Sequence, residues 1–270
     1  MLTVFDAVLL AILEGFTEFL PVSSSGHLVL AQELLNLHGP QLIAFDVFVH
    51  FGALMSVVFV FWKDILEILQ SFTKAFTTMK LKEEYAKTGH FRLGVAIIIG
   101  SIPAGIIGLL YRHQIGAAFT DLKLVAMNLV ITGLILFLTR LAKPIERKKV
   151  GLASAFIIGL AQAVAILPGI SRSGSTMSTA MFFKIPPVRA ARFSFLLSVP
   201  AIAGASLLEG YRIYKYGTTI TTLPLLVGTI VSAITGYFAI KILLKIMEKG
   251  KFSWFSLYCL TIGILGILFI

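Results

Sequence analysis

Apolar residues run through this chain in long blocks, and polar residues gather at the ends of those blocks. Six blocks are long enough to cross a bilayer as helices, which takes about 20 residues. They cover 43–62, 93–111, 122–142, 190–210, 223–243 and 253–270. They are continuous, without the alternation of a membrane β-barrel strand. Two further apolar segments, 1–36 and 151–187, are each interrupted by a Pro and a cluster of Ser and Gly. After the first interruption only Leu28 to Leu37 remains apolar. Ten helical residues rise about 15 Å, half of a ~30 Å hydrocarbon core. The two segments are therefore predicted as re-entrant helix–loop–helix hairpins, with non-helical backbone satisfied by protein or a wet cavity. The expected fold is an all-α polytopic membrane protein, one domain over 1–270, with six transmembrane helices and two hairpins.

Each half then holds one hairpin and three spans: repeat one over about 1–142 (hairpin 1–36) and repeat two over about 151–270 (hairpin 151–187). Three is odd, so the second half starts on the opposite side and the halves are inverted. Basic residues show which side is which. One side collects 18 Lys and Arg, among them Lys63, Lys74, Arg140, Arg147 and Lys249, and the other only Arg112, Lys123, Arg212 and Lys215. The basic side is expected to be cytoplasmic. Both termini then face outward, the first hairpin enters from outside, the second from the cytoplasm, and their tips meet near the midplane.

Composition agrees with this reading: 57% of the residues are hydrophobic, 13% are charged, and mean hydropathy is +0.94. A soluble domain carries about 25% charge. The net charge of +10 sits at the ends of apolar blocks, which suits topology and anionic headgroups rather than nucleic acid. One Cys, Cys259, excludes an intrachain disulfide or a Cys-based metal cluster. No cleavable signal peptide is expected, because the first apolar run carries Glu14 and Glu18 and lacks a basic leader. The loop 63–92 includes KDILEILQSFTKAF, readable either as a surface amphipathic helix or as a solvated connector.

The chemistry lies in the two interruptions. The first reads EGFTEFLPVSSSGHL, Glu14 to Leu28. Glu14 and Glu18 share a helix face, and two carboxylates inside an apolar segment mark a functional site. They suit a divalent metal or a general base, although pairing with buried cations would also account for them. Pro21 ends the helix. Ser23, Ser24, Ser25 and Gly26 then offer capping hydroxyls and free N–H groups for an anion, and His27 is a candidate acid or base. The second interruption reads GLAQAVAILPGISRSGST, Gly159 to Thr176. Arg172 can grip phosphate oxygens with its planar fork, or pair with Glu14 or Glu18 when no anion is bound. Ser171, Ser173, Ser175 and Thr176 add donors, and Gly169 and Gly174 allow close backbone approach. The copies have diverged: Glu18 corresponds to Gln162, Ser24 to Arg172, and His27 to Ser175. One composite site of two unequal halves is expected, and its inventory fits phosphoryl transfer.

At these motifs the chain closely resembles the undecaprenyl-diphosphate phosphatases, also known as bacitracin-resistance proteins, over nearly its whole length. That resemblance implies an inner-membrane enzyme that hydrolyses undecaprenyl diphosphate to undecaprenyl phosphate and inorganic phosphate, recycling the carrier for peptidoglycan synthesis. It also implies an inverted repeat, an outward-facing active site and a divalent cation, Mg²⁺ or Ca²⁺. Glu14 and Glu18 are the expected metal ligands. The expected catalytic set is Glu14, Glu18, Ser24, His27 and Arg172, with Ser23, Ser25, Gly26, Ser171, Ser173, Gly174 and Thr176 binding phosphate and Gln162 in support. Ser24 or a metal-held water attacks, and His27 assists proton transfer. The partners implied are the polyprenyl diphosphate and the bilayer, without nucleic acid; a homodimer is left open. The alternative function is a flippase for the polyprenyl phosphate, alone or added to hydrolysis.

Overall fold

Long apolar runs propagate as helix even through Pro103 and Pro200, because in lipid backbone N–H groups must be satisfied within the protein. The computed structural model describes residues 2–39, 41–146, 148–216 and 222–269; Arg147 and Ile270 of the expectations above lie outside them. Among the described residues all regular structure is helical. The chain runs α1 (Val4–Thr17), α2 (Ser24–Leu34), α3 (Gln41–Val60), α4 (Trp62–Thr77), α5 (Leu81–Lys87), α6 (Gly89–Leu110) and α7 (Arg112–Ala118). It continues through α8 (Leu122–Leu138), α9 (Leu152–Val164), α10 (Arg172–Phe182), α11 (Pro187–Tyr216), α12 (Thr222–Glu248) and α13 (Phe255–Phe269). Among the described residues six helical segments are long and apolar enough to cross a membrane, and they coincide with the six predicted blocks. The last two turns of α12 continue past the predicted 243 through Lys245 to Glu248; a lysine stem keeps apolar company while its ammonium reaches water.

The two interrupted segments form two short helix pairs. Helices of 14 and 11 residues in the first, and 13 and 11 in the second, are each under about 21 Å long. The pairs have matching ends. Ser23 caps α2 by accepting from the Gly26 N–H, and Ser171 caps α10 by accepting from the Gly174 N–H. At the far ends Asn36 and Lys184 adopt positive φ of 53° and 64°. There Leu37 N–H reaches the Gln32 carbonyl and Ile185 N–H reaches the Ala180 carbonyl. Both helices thus end in the same left-handed C-terminal turn.

Small residues let these pairs seat against long helices, the usual route to close packing where lipid supplies no hydrophobic drive. Helix α1 lies on α12: a Cβ at Gly15 would fall 1.9 Å from Thr235 Oγ1 and 2.8 Å from the Ser232 carbonyl oxygen. Helix α9 lies on α6, where a Cβ at Gly159 would fall 2.2 Å from the Gly100 carbonyl oxygen. The first helix of each pair therefore packs on the second long span of the other half. Helices α3 and α12 also pack closely, and Ser232 donates to the Val49 carbonyl at 2.6 Å. Beneath the loops, Phe19 meets Phe195 edge-on at 5.5 Å between centroids, fixing the backbone beside Glu18.

Of the two readings of 63–92, the helical one holds: α4 spans Trp62–Thr77. It rests on α6 through Phe72, whose ring is 4.7 Å from that of Phe91, and is tied to α11 by an Asp64–Arg192 pair. Trp62, Leu66, Leu69 and Phe76 stay exposed on it.

Candidate active site

The two interruptions meet. A Cβ at Gly26 would stand 3.0 Å from Gly169 Cα, so only glycine lets the loops approach this closely. Ser173 donates across the junction to the Leu20 carbonyl at 3.2 Å. Each loop is braced from behind by one helix of the α8–α13 pair. On α8, Asn128 donates to the Pro168 carbonyl at 2.7 Å, and Thr132 donates to the Gly169 carbonyl at 2.9 Å while accepting from the Ser171 N–H. On α13, the Cys259 thiol lies 3.6 Å from the Pro21 carbonyl. These bonds satisfy backbone groups that buried loops would otherwise leave bare.

Glu18 links the two loops. Its Oε2 accepts from Ser24 Oγ at 2.5 Å, and its Oε1 accepts from Arg172 Nη2 at 2.5 Å. Nucleophile candidate, carboxylate and guanidinium are thus in direct contact, although 154 residues separate Glu18 from Arg172. Arg172 is only 15% exposed, and its other arm points to the Ser194 carbonyl at 3.4 Å. Glu14, one turn before Glu18, is completely buried, and neither of its oxygens has a hydrogen-bond partner.

The sequence profile of the family described as bacitracin resistance protein BacA matches residues 7–265. The chain belongs to the BacA family. A protein of Desulforapulum autotrophicum described as undecaprenyl-diphosphatase is 41% identical over 270 residues, covering 98% of this chain and 97% of its own. Proteins of the same description from Salinibacter ruber and Halothermothrix orenii are 38% and 41% identical over 268 residues, each covering 98% of this chain and 99% and 97% of their own. With its six apolar helices the chain is a multi-pass inner-membrane protein.

Within this BacA-family site the other expected residues divide by what they touch. Ser23 and Ser171 are helix caps. Ser23 does this at φ 70°, a strained region for a residue with a Cβ. Its hydroxyl is 3.4 Å from that of Ser25. Thr176 donates to the Arg172 carbonyl at 2.8 Å and meets Ser194 Oγ at 2.6 Å. Gly174 sits over Pro21. Gln162, the counterpart of Glu18, is buried with both side-chain polar atoms unpartnered.

His27 stands apart from the carboxylates. Its Nδ1 donates to the Ser23 carbonyl at 2.8 Å, and its Nε2 accepts from the Tyr258 hydroxyl at 2.8 Å. The two rings stack 5.6 Å apart, within 8° of parallel. The imidazole beside the carboxylates is His50, on α3, which sequence reading passed over. Its Nε2 is 3.2 Å from Glu14 Oε1 and 3.8 Å from Glu18 Oε2. Glu14, Glu18 and His50 offer ligand atoms all within 4.8 Å of one another, a buried cluster able to coordinate a divalent metal. A signal for His50 was present: Asp46 and His50 lie four apart inside an apolar span, where ionisable residues are costly. Tyr258, Ser194, Asn128 and Thr132 carried no such mark.

Proposed function

We propose that this chain hydrolyses undecaprenyl diphosphate to undecaprenyl phosphate and inorganic phosphate, returning the lipid carrier to peptidoglycan synthesis. Membership of the BacA family and relatives described as undecaprenyl-diphosphatase along almost their full length support this reading. The observation that carries it at the level of atoms is Glu18 held between Ser24 and Arg172 at 2.5 Å each.

The geometry suggests the following sequence. Arg172 gives up Glu18 as the diphosphate enters and holds phosphate oxygens with the same fork. Ser24 Oγ attacks the terminal phosphorus as Glu18 takes its proton, so Glu18 rather than His27 is the base at this step. The bridging P–O bond breaks and undecaprenyl phosphate leaves. Water then attacks the phosphoserine phosphorus, the P–Oγ bond breaks, Glu18 returns its proton to Ser24 Oγ, and inorganic phosphate leaves with the water oxygen. His27, locked by Ser23 and Tyr258, lies one turn along α2 from Ser24 and serves the leaving-group proton. Ser23, Ser25, Gly26, Ser171, Ser173, Gly174 and Thr176 hold the loops so that two helix N-termini face the anion.

The residues fit a divalent cation. A fully buried carboxylate with no hydrogen-bond partner, Glu14, is stable only with a proton or a cation at its oxygens. Glu14 and Glu18 would hold the ion, Mg²⁺ or Ca²⁺ as the family resemblance implies, which supplies charge neutralisation for the diphosphate.

For topology we favour the inverted repeat with two re-entrant hairpins, termini outside and the site open outward. Matching caps at both ends of α2 and α10, the exchanged packing of α1 on α12 and α9 on α6, and the 18-to-4 charge asymmetry support it. Release of phosphate from undecaprenyl diphosphate by the purified protein, with and without chelator, tests the function. No release with metal present would refute it.

A further inference from the structure

We infer that His50 is a ligand of the divalent cation in this site, alongside Glu14 and Glu18; this rests on the hydrolase reading above. The argument starts from the ring's tautomer. His50 Nδ1 lies 2.7 Å from the Asp46 carbonyl oxygen, which can only accept, so Nδ1 carries the proton. That leaves Nε2 with a free lone pair, 3.2 Å from Glu14 Oε1 and 3.8 Å from Glu18 Oε2. Three such donor atoms held this close repel one another unless a positive charge lies between them.

Two facts favour a metal over a second ring proton. Glu14 Oε1 forms no hydrogen bond with His50 despite the short distance, and Glu14 Oε2 has no partner either. An imidazolium would satisfy one of these oxygens at best. The Asp46 carbonyl is the usual kind of anchor for a ligating imidazole: it fixes the ring and leaves the other nitrogen for the metal. Position 46 is itself steadied, because Gln32 on α2 donates to the Asp46 carboxylate at 2.7 Å. A nitrogen ligand also changes selectivity. Ca²⁺ prefers all-oxygen sites, whereas imidazole suits ions further along the divalent series. The site should therefore bind Mn²⁺ more tightly than Ca²⁺.

The test uses the full-length protein in lipid nanodiscs with Mn²⁺ alone as probe, read by pulsed electron paramagnetic resonance. A ¹⁴N modulation from one histidine is expected in the wild type. It should be replaced by a ¹⁵N signal in protein grown with ¹⁵N-histidine and vanish in His50→Gln. His50→Gln should weaken Mn²⁺ at least about 10-fold and leave Ca²⁺ nearly unchanged. If His50→Gln does not purify, persistence of the ¹⁴N signal when His27, His38, His90 and His113 are each replaced by Gln assigns it. Wild-type Mn²⁺ binding without ¹⁴N modulation, a signal that survives His50→Gln, or no Mn²⁺ binding overturns the assignment. Phosphate release from undecaprenyl diphosphate on the same preparation separates the two readings. Hydrolysis without the nitrogen signal sinks the ligand alone, and the signal without hydrolysis sinks the function alone.

Discussion

The two polar loops are built on one frame and carry different chemistry. In both, a serine caps the second helix, a glycine supplies the capped N–H, and a left-handed residue, Asn36 or Lys184, closes the helix the same distance beyond the serine. On that frame the first loop places Ser24 where the second places Arg172, and Glu18 where the second has Gln162. The contrast is sharpest in the last pair. Glu18 touches Ser24 and Arg172, with His50 close by; Gln162 touches no polar partner with either side-chain atom. The frame recurs at both loops, where it satisfies the backbone groups at the helix ends. The reactive groups have been divided between them.

That division can be broken most severely at its centre. Ser24→Ala should abolish phosphate release, while Ser23→Ala, which removes only a cap, should cost about 1 kcal/mol of stability and leave turnover within a few-fold. Equal losses in both would mean that the hydroxyls serve together as anchors. Arg172→Ala and Glu18→Gln should each lower the rate by about 10² to 10³-fold, measured as phosphate released per enzyme.

Smaller effects sharpen the comparison. Gly26→Ala inserts a methyl 3.0 Å from Gly169 Cα and forces the loops apart by a few tenths of an ångström. A loss of up to about 10²-fold in kcat is expected, with thermal stability nearly kept; an unaffected rate would show that the loop contact does not set the site. Tyr258→Phe keeps the stacking on His27 but removes its hydrogen bond, so a drop of about 5-fold is expected, corresponding to about 1 kcal/mol. Gln162→Leu should be the mildest change. It removes two buried unpartnered polar atoms, so melting temperature should hold or rise and activity should persist. A collapse of activity there would make the second half chemically active.

Much of this was legible before any coordinates. The six spans follow from runs of apolar residues, and the interruptions at Pro21 and Pro168 mark where the helices stop. Glu18, Ser24 and Arg172 announce themselves because charges and clustered hydroxyls are rare in such a chain. What escaped is what depends on the packing of distant helices. The partner of His27 on α13, the Tyr258 hydroxyl at its Nε2, is invisible when only neighbours in sequence are considered. His50 comes to the carboxylates from α3. Thr132 and Asn128 look like ordinary polar residues of a span until the loop they brace is seen.

The central claim is that one site is assembled from both halves through Glu18 and Arg172. A double-mutant cycle on phosphate release tests it most directly, with Glu18→Gln, Arg172→Lys and the pair, variants mild enough to leave measurable rates. The account predicts strong non-additivity, the double variant losing little more than the worse single one. Losses that multiply would show that the two residues act independently and would contradict a composite site.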